Sequence, residues 1–286
     1  MPELPEVETI AKRLKTVVCG KTISEVSVFK QKSFYGDSQS LLGVPILDVS
    51  RKAKLIRFHL PNAQNLLIHL KMTGQLIYID ATGSRLGGGH PTADWVSQLP
   101  SNHTRVSFKL LSLDKTQHSL YFNDMRIFGW IRLLSDSQIL AEYRKYAPDI
   151  NTDTITLEYF AQKLQKTTRP IKQVIMDNAV ISGVGNIYAC DGLNLAFIHP
   201  QRPANSLSDA ETSKLLQALK EVIDLGIELG GATIDNYRTV DGFAGKYQEK
   251  VRVYSREGEN CCNCGGIIQK IKLGGRGTYF CQNCQI

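Results

Sequence analysis

Four cysteines close the chain in two pairs, Cys261-x2-Cys264 and Cys281-x2-Cys284, with sixteen residues between the pairs. Four thiolates at that spacing suit one tetrahedral structural zinc ion, and Cys262 is the spare because a ligand there would strain the knuckle. Two disulfides would use the same sulfurs but need an oxidising compartment. Between the pairs, Gly274-Gly275-Arg276-Gly277 reads as a hairpin tip that presents one arginine. At the other end, MPELPEVETIAKRL gathers Glu3, Glu6 and Glu8 around a helix start. Acids there complement the positive end of the helix dipole. The alternative chemistry is a catalytic amine at Pro2 served by those acids. A third feature is Gly183-Val184-Gly185 before Asn186. Backbone N–H groups at a helix start offer a phosphate site, and Lys172, one helix earlier, supplies charge. This is not the dinucleotide fingerprint, since no strand precedes it and the third glycine is missing.

The elements that must position these groups are legible. Residues 5–18 read as a helix with Pro5 in its first turn, Val7, Ile10, Ala11 and Leu14 on one face, and Gly20 as its stop. Eight strand-like segments follow, TRVSFKLL (104–111) alternating most clearly, which suffices for a two-layer antiparallel sandwich. Residues 81–102 read as a long Gly/Pro/Ser-bearing loop. Beyond about residue 135 the spacing turns helical, punctuated by Pro148, Pro170, Pro200 and Pro203. The fold class is therefore α+β. We divide the chain into a β-sandwich with a leading helix at 1–134, a helical domain at 135–245 and a zinc hairpin at 246–286. Cys19 and Cys190 fall on expected helices and read as small buried hydrophobes.

A net charge of +7 favours a polyanionic partner, and the basic residues cluster at 51–57, at 163–172 and from Lys246 onward. No apolar run approaches a membrane span, and the first fifteen residues lack a secretory signal, so the expected location is cytoplasmic.

Taken in order, PELPEVET, RKAK, HLKMTG, DMRIFG, MDNAVISGVGNIYACD and the paired cysteines around RGTYFC resemble the formamidopyrimidine-DNA glycosylase branch of the helix-two-turns-helix base-excision repair enzymes. Leu4, where the related endonuclease VIII group carries glycine, points to the formamidopyrimidine side. The resemblance implies a bacterial, monomeric enzyme with one structural Zn2+ that binds damaged double-stranded DNA and no membrane. It would excise oxidised purines, 8-oxoguanine and formamidopyrimidines, then cleave the abasic site by β,δ-elimination.

The same resemblance implies roles for individual residues. Pro2, freed by removal of Met1, would attack the sugar C1′ and form a Schiff base. An α-amine with a pKa near about 8 keeps a far larger free fraction at neutral pH than a lysine near about 10.4, and the helix start lowers it further. Glu3 would shuttle protons, with Glu6 a second carboxylate at the site. Lys54, His69 and His103 match phosphate-contacting positions, and Lys172, Asn186 and Arg276 would bracket the lesion phosphates. Lys54 and Arg276 are counted with Pro2, Glu3 and Glu6 as catalytic. Met72, Arg126 and Phe128 would fill the gap left by the everted base, as apolar plug, planar cation and aromatic wedge. Segment 239–251 resembles a loop closing over the flipped base. Three positions depart from the family pattern: Met125 and Ile127 replace proline and arginine, and Asp191 replaces glutamate. The alternatives are an oxidised-pyrimidine glycosylase and a catalytically silent damaged-DNA-binding protein.

Overall fold

The computed structural model describes residues 2–90, 92–232 and 245–286. The chain divides into two compact units, Met1–Arg144 with Gly230–Gly245, and Lys145–Leu229 with Lys246–Ile286.

The first unit begins with helix α1 (Leu4–Val18), followed by β1 (Thr22–Val28), β2 (Phe34–Tyr35), β3 (Asp48–Lys52), β4 (Leu55–His59), β5 (Gln64–His69), β6 (Gly74–Ile79), β7 (Arg85–Gly89), β8 (Thr104–Leu111), β9 (Gln117–Asp124), β10 (Trp130–Ser135) and helix α2 (Asp136–Tyr143). One sheet runs β1-β8-β9-β6-β7 and the other β2-β10-β5-β4-β3. Every pairing is antiparallel except β2 with β10. Alternation along β8 buries Val106, Phe108 and Leu110, which join Val7, Ile10, Leu14, Phe58, Ile68, Phe122 and Ile131 in one core. The apolar stripe of α1 is thus spent on that core, which leaves Glu6 of its first turn for other work.

All eight expected strands form, together with β2 and β7. Strand β7 lies within the segment read as a loop, because its Gly87-Gly88-Gly89 run carries no alternation. The packing explains the glycines. A Cβ on Gly88 would collide with Ile10 of α1, and one on Gly87 with the Leu76 carbonyl of β6. Helix α2 packs on β10 and β5 and belongs with the sandwich.

The second unit holds α3 (Leu157–Gln165), α4 (Ile171–Ile175), α5 (Asn186–Ala196), α6 (Asp209–Glu228) and a hairpin of β11 (Ile268–Leu273) and β12 (Arg276–Cys281). Helix α6 starts with a capping box, the Ser208 hydroxyl accepting from the Glu211 N–H and the Glu211 carboxylate from the Ser208 N–H. The Gly274-Gly275 turn has φ of +57° and +77°, which a two-residue hairpin turn requires of both residues. Cys190 of α5 is buried with Cys261, Cys281, Val253 and Ile268, as expected. Cys19 instead caps α1 and is only half-buried.

Candidate active site

Pro2 is buried and immediately precedes Glu3, the N-cap of α1. Glu3 is 3% exposed. Its side chain accepts from the Glu6 N–H, and the Glu6 carboxylate accepts from the Glu3 N–H at 2.7 Å, a reciprocal capping box. Glu6 Oε1 also accepts from the Ala232 N–H at 2.7 Å. Gly231, at φ +86°, makes that approach feasible, since a Cβ there would lie 2.7 Å from Glu6 Oε1. Glu6 therefore ties the helix start to the backbone at Ala232. The expected closing loop at 239–251 lies outside the described residues up to 244, and a short 3-10 turn spans Tyr247–Glu249.

One turn along α1, Glu8 accepts from Arg51 Nε at 2.6 Å. Burial pushes the Glu8 carboxyl up, but the Arg51 and Lys12 bonds and charges outweigh it and hold the group below its ordinary value. Arg51 Nη1 also donates to the Ala53 carbonyl at 2.9 Å. Ala53, at φ +52°, and Lys54 form the β3–β4 turn, so α1 is bolted to the hairpin that carries Lys54. Lys54 is 8% exposed.

His69 ends β5, paired with Leu55 and Trp130. Its Nδ1 accepts from the Lys71 N–H at 3.1 Å. Burial, then the charges of Lys71, Lys54 and Arg132, bring its pKa down to about 3. It is a neutral ring near neutral pH, with the charges of Lys71, Lys54 and Arg132 around it.

Met72 and Phe128 are 40% and 52% exposed, and Arg126 stacks on the Phe128 ring at 4.7 Å. The residue that shapes this group is Asp124, fully buried at the end of β9. Its Oδ2 accepts from the N–H groups of Phe128 at 2.8 Å and Gly129 at 2.6 Å. Its Oδ1 accepts from the Thr73 hydroxyl and the Arg126 N–H, the latter at 3.2 Å. Thr73 Oγ1 accepts from the Arg126 N–H as well, at 3.1 Å. The turn carrying Met72 and the loop carrying Arg126 and Phe128 are thereby joined. Ile127 takes φ +56°, unusual for a β-branched residue, and the bonds from Asp124 on either side hold it there. Sequence reasoning missed Asp124 and Thr73; a short acid or hydroxyl beside a turn was the available signal. His103, before β8, has its Nδ1 2.9 Å from Asp94 Oδ2.

In the second unit, Lys172 is 1% exposed. Its Nζ donates to Asn186 Oδ1 and Thr278 Oγ1, each at 2.6 Å. Asn186 Nδ2 in turn donates to the Gly277 carbonyl at 3.0 Å. Lys172, Asn186 and the β12 strand thus meet, with Thr278 an unforeseen partner. Lys172 and the exposed Arg276 line one cleft of about 260 Å³ with Arg169, Gln173 and Gly274. Asp191, fully buried, accepts from the N–H groups of Arg252, Val253 and Tyr254 and from the Tyr247 hydroxyl.

The sulfurs of Cys261, Cys264, Cys281 and Cys284 lie within 4.8 Å of one another, and no two are bonded. A tetrahedral zinc with Zn–S near about 2.3 Å needs sulfurs about 3.8 Å apart. Cys261–Cys284 at 3.7 Å and Cys264–Cys281 at 3.5 Å are close to that. N–H groups of Asn263 and Gly266 point at Cys261 and Cys264, each at 3.4 Å, as thiolates require. Burial pushes the Cys261 thiol up, but the Asn263 and Cys264 N–H donors and the Asn194 amide bring it down to about 7. Burial and the other three cysteines push Cys284 up, a crowding that a bound cation relieves. Cys262 stands outside the cluster, exposed.

Comparison with known proteins matches residues 1–131 to the formamidopyrimidine-DNA glycosylase N-terminal domain, 146–238 to its H2TH domain and 258–286 to a zinc finger found in FPG and IleRS. The formamidopyrimidine-DNA glycosylase of Rickettsia conorii is 37% identical over 290 residues, covering 100% of this chain and 99% of that protein. The chain belongs to the formamidopyrimidine-DNA glycosylase family. Another family relative, from Listeria innocua, is 36% identical over 292 residues and is covered to 100% on both sides. Among solved structures, a Lactococcus lactis FPG variant in complex with Fapy-dG-containing DNA superimposes with a TM-score of 0.87 at 31% identity, covering 99% of each chain. The complex of Lactococcus lactis Fpg with abasic-site DNA gives 0.86 at 30% identity, covering 100% of each chain. The zinc-finger match and the four-sulfur geometry agree on one structural zinc.

Proposed function

We propose that this member of the formamidopyrimidine-DNA glycosylase family is a bifunctional DNA glycosylase and abasic-site lyase acting on oxidised purines in duplex DNA. The observation that carries this reading is Pro2, buried at the positive end of α1 beside the buried carboxylate of Glu3, in a chain that matches the family end to end. With Met1 removed, the Pro2 nitrogen attacks C1′ as the C1′–base bond breaks, and Glu3 relays the proton lost by that nitrogen to the departing base. The nitrogen lone pair then expels O4′ from C1′, which opens the sugar and leaves an iminium on Pro2, while O4′ takes up a proton from water through Glu3. The iminium acidifies the C2′ hydrogen, so the 3′-phosphate and then the 5′-phosphate leave by successive eliminations. Hydrolysis then frees the amine.

The capping box holds Glu3 against α1, which supports its service as a fixed proton carrier; Glu6 supports it by position, through two backbone bonds. Lys54, His69, His103, Lys172, Asn186 and Arg276 are assigned to phosphates, and Met72, Arg126 and Phe128 to the gap in the stack. We place the enzyme, as a monomer, in the bacterial cytoplasm. No helix among the described residues is long and apolar enough to cross a membrane.

Borohydride reduction on an 8-oxoguanine:cytosine duplex should trap a covalent protein–DNA adduct that Pro2→Gly abolishes. Absence of adduct from wild-type protein with a sequenced Pro2 amino terminus would refute the mechanism. Faster excision from a thymine-glycol duplex would transfer the assignment to oxidised pyrimidines.

A further inference from the structure

The segment at 81–102 carries no role in this chemistry, yet it is built around a single side chain. Asp94 lies in a 3-10 turn (Ala93–Trp95) and is 5% exposed. Its N–H donates to Thr92 Oγ1, and the Thr92 hydroxyl donates to Asp94 Oδ2 at 3.1 Å. Gln75 of β6 fixes Thr92 with a 2.9 Å bond and also donates to the His90 carbonyl. Arg85 of β7 donates to the Asp94 carbonyl at 2.9 Å and the Ser97 carbonyl at 2.7 Å, and Trp95 packs on Ile77 and Tyr121. All of this holds one carboxylate oxygen 2.9 Å from His103 Nδ1. The His103 side chain is 40% exposed against 6% for Asp94, so a buried anion faces an accessible ring.

We infer that Asp94 is a positioning residue for DNA binding, which fixes a proton on His103 Nδ1 and leaves Nε2 to meet the phosphate. This rests on the proposed function, where His103 is a phosphate contact. The consequence follows from the two ring nitrogens. A carboxylate accepts from Nδ1–H, so neutral His103 carries a bare lone pair on Nε2, which repels a phosphate oxygen. The contact forms only when Nε2 is also protonated, and the imidazolium is then held between two anions. The DNA-bound form therefore needs one more proton at this residue than the neutral ring carries. The other charged groups on the surrounding elements are turned elsewhere. Arg105 of β8 donates to the Asp124 and Asn102 carbonyls, Asp124 of β9 gives its carboxylate to the Arg126–Gly129 loop, and Arg85 serves carbonyls.

The test uses the full-length protein. Long-range nitrogen NMR of the free protein at about pH 8 should show the proton on Nδ1 of neutral His103 in wild type and on Nε2 in Asp94→Asn, which keeps the shape but not the charge. In parallel, affinity for a duplex bearing a non-cleavable abasic analogue is measured between about pH 6 and about pH 8. Wild type should gain affinity as pH falls across that range, by no more than the roughly tenfold per pH unit that uptake of one proton allows. Asp94→Asn should flatten that slope, and should change nothing in a His103→Ala background. A wild-type proton on Nε2, or an Asp94→Asn loss equal at every pH, overturns the inference. A His103→Ala protein that binds like wild type at every pH overturns it at the DNA step. Failure of wild type to bind the damaged duplex or form the borohydride adduct would instead overturn the function beneath it.

Discussion

Asp124 and Asp191 are two fully buried carboxylates, one in each unit, that use the same device and achieve different ends. Each accepts from three backbone N–H groups and one hydroxyl. Around Asp124 the three N–H donors lie two to five residues ahead, so the carboxylate bends a local loop and points Arg126 and Phe128 outward. Around Asp191 the donors lie 56 to 63 residues away, so the carboxylate joins helix α5 to the lead-in of the zinc hairpin. A local anchor sets the shape of an exposed loop. A remote anchor also closes chain, and its loss releases the entropy of that long segment. Burial outweighs the donors at Asp191 and pushes its carboxyl up, a sign of how little solvent reaches it.

The largest effect should come from the metal beside the remote anchor. Chelation, or Cys264→Ala, should strip amide-exchange protection from Ile268–Cys281 while β8 and β9 keep theirs, because structural zinc contributes on the order of 10 kcal/mol to such modules. Equal loss of protection in β8 and β9 would show that the metal supports more than its own hairpin.

Next, Asp191→Asn should cost about 3–5 kcal/mol in urea unfolding, since one amide cannot accept what the carboxylate accepts and buried donors are left unmet. Asp124→Asn should cost less, about 1–3 kcal/mol, and should show mainly as weaker binding to abasic-site duplex. A reversal of that order would mean the local loop carries more of the fold than its bonding suggests.

A pH effect of middle size belongs to His69. Its folded pKa of about 3 lies below the unfolded value near 6.5, so the unfolded chain binds the extra proton between them. Stability should therefore be complete above about pH 6.5 and fall as pH drops toward about 3, by no more than about 1.4 kcal/mol per pH unit. His69→Gln should flatten that part of the curve in thermal melts. The smallest effect on stability is Phe128→Ala, within about 0.5 kcal/mol because the ring is exposed, although affinity for the abasic-site duplex should fall by about 1–3 kcal/mol in a binding titration.

Periodicity made most of the framework readable. The 3.6-residue spacing of Val7, Ile10, Ala11 and Leu14 and the two-residue alternation of Val106, Phe108 and Leu110 mark buried faces without reference to any neighbour. The paired cysteines were readable for the same reason, since the two-residue spacing within each pair is local. Strand β7 was not, because its glycines answer to Ile10 and Leu76, which lie far off in sequence.

The sequence by itself determined the α+β class, the capped helix behind Pro2 and the four metal ligands, all features governed by short-range spacing. Only the tertiary structure decided that Glu6 reaches Ala232, that Lys172 is buried against Asn186 and Thr278, that Asp124 joins two turns through Thr73 and that Asp94 meets His103. Those pairings depend on sheet register and on which loops fold back. A polar side chain carries no periodic mark of its partner, so the partner becomes visible only when packing removes water and a buried donor or acceptor must be met.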